Sequence, residues 1–242
     1  MKPSRRTVLG LGAAVAVLGG GAAFWKLTNP RPTRQAPQGL VPDPKGLLDL
    51  AEGFSYTVID RQGDALGDGH LVASRPDGMH CFPGDEGTLV LVRNHELLPD
   101  SGGGPWKPGA AVPPEAFDPK SIGCVDRVVV DPKKLASGAP AVVASNLVLG
   151  GTNFNCCGGW SPWGWLSCEE DVAPGHGFVF VCPPSATALR KPEPIRGFGR
   201  FRHEAVAIDP TTLVAYLTED REDACLYRFV PKSRGAPFEG RL

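Results

Sequence analysis

Three features are missing from the sequence, and each absence excludes a class of protein. Beyond residue 25 no apolar run approaches the roughly 20 residues that cross a membrane, which excludes a polytopic membrane protein. Positive charge is not in excess, since 25 Lys and Arg stand against 26 Asp and Glu, and this argues against a nucleic-acid-binding protein. No Cys-x-x-Cys pair occurs among the 7 cysteines, so a structural zinc site is not expected.

Helical periodicity is also scarce, and only residues 47–52 show it over a short stretch. The 31 Gly and 25 Pro favour turns over helix interiors, while a hydrophobic content of 42% is enough for a sizeable core. Short stretches with the composition of strands recur along the chain. They are residues 56–59, 88–92, 127–130, 141–149, 163–167, 178–181, 205–208, 214–218 and 226–230. The sequence therefore predicts an all-β fold.

The N-terminal segment has the pattern of a targeting signal. Arg5 and Arg6 directly precede a mild, Gly- and Ala-rich apolar run over residues 9–25, which is the pattern of a twin-arginine export signal. An ordinary membrane anchor with two incidental arginines is the alternative. No Ala-x-Ala site follows the run, so N-terminal membrane attachment through an uncleaved signal stays open.

These features predict three segments. Residues 1–27 form the signal, residues 28–45 a Pro-rich tether, and residues 46–242 the folded domain. We expect a protein that passes the twin-arginine translocase and resides in the periplasm or outside the cell. Because that route carries folded proteins, a metal or cofactor loaded before export is a natural expectation.

Two blocks of the chain resemble each other at an offset of about 50 residues, the spacing of propeller blades. In each block an apolar strand (165–167, 216–218) is followed by acidic residues and by a second strand (178–181, 227–230). Residues 89–96 have the same form, an apolar strand that ends in an acid. The repeat predicts a β-propeller of which about four blades are present. Since no closing strand is evident, we expect an incomplete propeller and a truncated chain.

Acidic residues end several of these strands, at residues 94–96, 168–171 and 219–221. In a propeller, equivalent strand ends converge on the central axis, where carboxylates repel one another unless a cation compensates their charge. The alternative is that these acids cap strands at a solvated rim. The spacing alone does not decide between the two.

Residues 150–170 are the most unusual segment, with three of the 5 tryptophans and three of the 7 cysteines. Asn155 offers a hard oxygen, Cys156 a thiolate, and Glu169 and Glu170 carboxylates. Oxygen-rich sets favour calcium, and an added thiolate favours a transition metal such as iron. Ordinary core packing of the cysteines and tryptophans is the alternative.

The chain resembles the PhoX-type alkaline phosphatases, a family of exported bacterial enzymes. The resemblance implies a propeller whose central site holds ferric iron and calcium and hydrolyses phosphomonoesters. It makes Cys156 the thiolate that bridges the irons. The motifs that carry it, besides the leader, are residues 77–80, 92–96, 155–170, 199–205, 216–221 and 226–231. The candidate metal ligands are Glu96, Asn155, Cys156, Glu169, Glu170, Glu204, Glu219 and Asp220.

The resemblance also implies catalytic residues. A phosphomonoester would bind to the metals and to an arginine, for which Arg202 and Arg221 are candidates, since a guanidinium grips phosphate with two hydrogen bonds. Structural ion pairing is the alternative for both arginines. His203 is a candidate for an acid or for a residue that orients neighbouring carboxylates, and a packed structural role is its alternative.

Two departures from the family pattern concern the candidate site. Cys157 occupies a position where the family often has Ala, and the segment Pro162-Trp163-Gly164-Trp165 is one residue shorter than usual. A one-residue deletion in a strand moves later side chains to the other face unless a bulge compensates, which affects Glu169 and Glu170. The rival functions are a calcium-dependent propeller hydrolase of the lactonase or esterase type and an inactive truncated fragment. We expect a monomer.

Overall fold

A computed structural model describes residues 38–242, so the predicted signal and the tether up to residue 37 lie outside the described residues. The chain divides into two compact units, and residues 38–56 are the described part of the first. There the Val41 amide donates to the Leu50 carbonyl at 2.8 Å, and the Tyr56 hydroxyl donates to the Asp43 carboxylate at 2.6 Å. The residues at the end of the predicted tether thus take part in local structure. Over residues 38–242, no helix has the length and apolar character needed to cross a membrane.

The second unit, Thr57–Leu242, contains three antiparallel sheets built from consecutive strands. The first sheet has the order β1 (Pro76–Pro83), β2 (Leu89–His95), β3 (Gly123–Val130) and β4 (Val142–Thr152). The second has the order β5 (Gly159–Ser161), β6 (Gly164–Cys168) and β7 (Val179–Cys182). The third contains β8 (His203–Ile208), β9 (Ala215–Glu219), β10 (Leu226–Ser233) and β11 (Ala236–Arg241), in that order across the sheet. One α-helix, α1 (Pro132–Ser137), and two 3-10 turns (Asp85–Gly87, Arg196–Phe198) lie in the connections.

The all-β prediction is confirmed. The described residues form three sheets, so the predicted count of about four is not confirmed. Residues 57–75 and 97–122 contain no strand and run as turns and loops with isolated bridges, such as Ala65 to Leu71. The expected strand over residues 56–59 and the helical period over residues 47–52 have no counterpart among the observed strands and helices.

The three repeated sequence blocks occupy equivalent places in the sheets. Residues 89–95 form β2, residues 164–168 form β6 and residues 215–219 form β9, and each is the second strand of its sheet. In β2 and β9 buried side chains alternate with more exposed ones, as the two-residue period of a strand requires, whereas every residue of β6 is buried. The repeat therefore corresponds to a repeated sheet.

The middle sheet lies between two hydrophobic clusters. On one face Trp165 packs in a cluster with Val92 and Phe180, and on the other Leu166 packs in a cluster with Leu217 and Phe229. These residues are no more than 4% exposed. Because adjacent residues of β6 supply both clusters, the first and third sheets are packed on opposite sides of the second.

The three sheets approach one another at residues 156–159. Gly158 donates its amide to the Glu204 carbonyl at 2.9 Å and accepts from the Val206 amide at 3.2 Å, which joins this segment to β8. A Cβ on Gly78 of β1 would lie 1.9 Å from the Cys157 carbonyl oxygen, so only glycine permits this approach. The segment around Cys156 is thus held between the first and third sheets.

Candidate metal centre

The Cys156 thiol stands at the centre of a cluster of acidic side chains. It donates to the Glu204 carboxylate at 3.0 Å. Two groups of potential ligand atoms share it, Asp77–Glu96–Cys156 and Cys156–Glu170–Glu204, and within each group these atoms lie within 4.8 Å of one another. Four carboxylates from separate parts of the chain therefore surround one sulfur atom.

Backbone hydrogen bonds fix the relative positions of Cys156 and Glu170. The Cys156 amide donates to the Cys168 carbonyl at 2.9 Å, and the Glu170 amide donates to the Phe154 carbonyl at 2.9 Å. Phe154 itself has a positive φ of 50°, which is uncommon for a residue with a side chain. These contacts extend the pairing of β6 beyond its last residue, so that Glu170 lies beside Cys156.

The electrostatics of the cluster are those of crowded negative groups. Burial and the neighbouring Asp77 raise the pKa of Glu96 above its usual range. Burial and Asp220 raise the pKa of Glu170 to about 7. Burial and the Glu204 carboxylate raise the pKa of the Cys156 thiol well above its usual value. A bound multivalent cation would reverse all three shifts, because it stabilises the ionised forms.

Metal binding at this cluster is expected to strengthen with pH. Because Glu170 holds a proton up to about pH 7, a metal ion must displace that proton at lower pH. One displaced proton changes the affinity by up to about tenfold per pH unit. Calorimetric titration with Co²⁺ at pH 6, 7 and 8 should show this rise. Glu170→Gln should make it shallower below pH 7, while the proton that the Cys156 thiol must also release keeps a pH dependence in the variant. An affinity that is constant over this range would contradict the assignment.

Glu169 lies outside the cluster, although the sequence proposed it as a ligand together with Glu170. Its side chain is fully buried, and its oxygens accept hydrogen bonds from the amides of Asn153 (2.9 Å), Gly177 (2.8 Å) and Phe178 (3.1 Å). His176 Nδ1 lies 2.7 Å from the same carboxylate. Adjacent residues of an extended segment point to opposite sides. Glu170 therefore faces Cys156, whereas Glu169 accepts hydrogen bonds from the backbone on the other side.

Asn155 is also engaged in internal hydrogen bonds. Its side chain is fully buried, accepts from the Thr152 hydroxyl at 2.6 Å and donates to the Ser167 hydroxyl at 2.9 Å. In the structure Asn155 holds the strand beside Cys156.

Glu219, Arg202 and Arg221 share a neighbouring pocket of about 430 Å³, which Asp223 also lines. Arg221 pairs with Asp223 at 2.6 Å, and Glu219 accepts from the Tyr227 hydroxyl at 2.9 Å. The side chain of Arg202 is exposed and makes no hydrogen bond or ion pair with any residue of the range 38–242. This pocket is thus lined by both predicted arginines.

Asp220 connects this pocket to the cluster. Its amide donates to the Arg202 carbonyl at 3.1 Å. Its side chain shares a hydrogen bond with Glu170, and this contact contributes to the raised pKa of Glu170. The structure therefore brings together five of the eight predicted ligands, namely Glu96, Cys156, Glu170, Glu204 and Asp220.

His203, a candidate catalytic residue, is fully buried and lies on the Phe201 ring with a centroid distance of 3.7 Å. Burial lowers its pKa to about 4, so the imidazole is neutral at physiological pH. It directly precedes the cluster residue Glu204 in β8. These surroundings match the packed structural role, since the ring contacts Phe201 and, at 3.5 Å, the Gly199 carbonyl oxygen.

Asp77 belongs to the cluster but was not among the sequence-derived ligands. It occupies the second position of β1, in the sequence Pro-Asp-Gly, which resembles a turn. Its side chain is exposed, so the cluster opens to solvent on this side. The signal that could have identified it is the motif Asp77-Gly78-Met79-His80, which contributed to the family resemblance.

The donor set fits a metal centre that combines a soft and a hard ligand type. Four carboxylates suit calcium or iron, and the thiol suits a transition metal. The raised pKa values of Glu96 and Glu170 show that this arrangement is unfavourable for negative charge without a cation. The residues present therefore fit a metal-binding role.

Three antiparallel sheets with a carboxylate–thiol cluster at their junction define an all-β protein with a candidate metal centre. The family model for alkaline phosphatase PhoX matches residues 36–241, and the chain belongs to this family. No curated protein matches the chain.

A solved structure with the same fold is PhoX of Pseudomonas fluorescens in complex with vanadate, a transition state analogue. The two chains are 19% identical, with a TM-score of 0.52. The alignment covers 75% of this chain and 48% of that PhoX, so the chain spans about half of its length. The likeness is one of fold.

Proposed function

We propose that this chain forms part of a metal-dependent phosphomonoesterase of the PhoX type. The family match supports the class of reaction, and one observation carries the proposal: four carboxylates converge on the thiol of Cys156. The three sheets would be blades of a propeller, and the cluster would lie near its axis. Export by the twin-arginine route and a periplasmic or extracellular location belong to the same proposal.

The cluster residues would hold iron and calcium. Cys156 would serve both groups of carboxylates, with Asp77 and Glu96 on one side and Glu170 and Glu204 on the other. Bound metal ions supply positive charge and Lewis acidity for phosphoryl transfer. The chain's own contribution is to hold these carboxylates together and to keep their solvent-exposed side open at Asp77.

An arginine would bind the phosphate of the substrate. Arg202 is the better placed of the two candidates, because it is free of ion pairs within the described range, whereas Arg221 is already paired with Asp223. A guanidinium can donate two parallel hydrogen bonds to a phosphate group. His203, neutral and packed on Phe201, would orient the segment that carries Arg202 and Glu204.

A hydrolysis assay tests this proposal. We expect the purified protein, supplied with iron and calcium, to hydrolyse p-nitrophenyl phosphate, and we expect a chelator to abolish the activity. A lactone panel run in parallel separates the calcium-dependent hydrolase from the phosphatase. Hydrolysis of lactones alone, or phosphatase activity that survives complete metal removal, would contradict the proposal.

A further inference from the structure

Asn94 in β2 is fully buried, yet both ends of its carboxamide are used. Its Oδ1 accepts a hydrogen bond from Trp165 Nε1 at 2.9 Å, and its Nδ2 donates to the carbonyl oxygen of Cys156. Trp165 belongs to the second sheet, so Asn94 links two sheets to the segment that carries the central thiol. A buried amide with these partners has one favourable orientation.

β2, the strand that carries Asn94, is anchored by the side chains on its other face. Arg93 donates to Asp126 at 2.6 Å and to Asp60 at 2.9 Å. His95 Nε2 lies 3.1 Å from the Asp126 carboxylate. Since side chains alternate along a strand, this network holds one face while Asn94 and the following acid, Glu96, lie on the other.

We propose that Asn94 is a positioning residue of the metal centre. By holding the Cys156 carbonyl, it fixes the backbone from which the thiol reaches both groups of carboxylates. Asn94 would act through Cys156 and not as a ligand itself, because both ends of its carboxamide are already used. The inference rests on the proposed function in that it requires Cys156 to bind a metal ion.

The test compares Asn94→Leu with a matched control, Asn146→Leu. Asn146 is also buried, and its Nδ2 also donates to backbone carbonyls, those of Leu147 (2.9 Å) and Ala186 (3.1 Å), but it lies in β4 outside the cluster. Both variants lose buried hydrogen bonds at similar side-chain volume. A merely structural role would lower the thermal stability of both and leave metal binding unchanged.

The readouts are the Co²⁺ affinity and the thiolate-to-Co²⁺ charge-transfer absorption, which reports the sulfur–metal bond directly. We expect Asn94→Leu to weaken Co²⁺ binding by about 10- to 100-fold, the usual effect of losing a residue that supports a metal ligand, and to diminish the absorption. Asn146→Leu should keep both at the wild-type level. Trp165→Phe, which removes the donor to Asn94 Oδ1 together with part of a buried ring, should give a smaller change in the same direction.

Wild-type affinity and absorption in Asn94→Leu would overturn the inference while leaving the proposed function intact. If that variant does not fold, unchanged values in Trp165→Phe overturn it equally. Absence of thiolate absorption in the wild-type protein would overturn the inference together with the proposed metal centre.

Discussion

Replacing Cys156 with serine is expected to abolish metal-dependent hydrolysis, with a loss of roughly three orders of magnitude. The thiol is the one ligand shared by both groups of carboxylates, and a hydroxyl of similar size is a much poorer ligand for a transition metal. Metal ions contribute several kcal/mol to phosphoryl transfer, and each step of about 1.4 kcal/mol is a tenfold change in rate. Metal content and p-nitrophenyl phosphate turnover measure the effect.

Cys225→Ser is the matched control, because Cys225 is an exposed free cysteine outside the cluster. This variant should keep wild-type metal content and turnover. If Cys156→Ser behaved like the control, the cluster could not be the metal centre.

Gly78→Ala is expected to disrupt the same centre without changing any of its ligands. The added Cβ would lie 1.9 Å from the Cys157 carbonyl oxygen and 2.6 Å from its carbonyl carbon, so β1 and the segment after Cys156 must move apart. Asp77, on β1, would move away from the thiol as well. Forcing extra atoms into packed structure lowers the stability of a protein by about 1–3 kcal/mol and sometimes more. We expect a loss near the upper end of this range, because the atoms that the new Cβ would meet belong to the backbone of Cys157.

Thermal unfolding and metal analysis of Gly78→Ala should show lower stability and lost metal. Gly235→Ala provides the control, since a Cβ there would meet only Ser233 Oγ at 3.9 Å, and we expect it to resemble the wild type. Full metal content in Gly78→Ala would mean that β1 does not help to form the centre.

The fold class was predictable because it depends on composition and short-range pattern. Gly and Pro limited helices, and the repeated blocks marked β2, β6 and β9, the second strands of the three sheets. The number of sheets was less predictable, since it depends on whether residues 57–75 and 97–122 pair with neighbours. They run as loops, and their local sequence does not determine that outcome.

The candidate site was predictable to the extent that acids follow equivalent strands. Glu96, Glu170 and Asp220 do meet near Cys156. Adjacent acids are harder to separate, because the phase of the strand decides which one faces the cluster. Glu169 thus accepts hydrogen bonds from three backbone amides instead of facing Cys156. Asp77 was not predicted, because it lies at the start of a strand and the pattern considered only acids at strand ends.

Anomalous X-ray diffraction from crystals of the metal-loaded protein tests the central claim most directly. We predict cation peaks within bonding distance of the Cys156 sulfur, flanked by carboxylates of Glu96 and Glu204. Crystals in which every bound metal lies elsewhere, with the Cys156 thiol still donating to Glu204, would contradict the account.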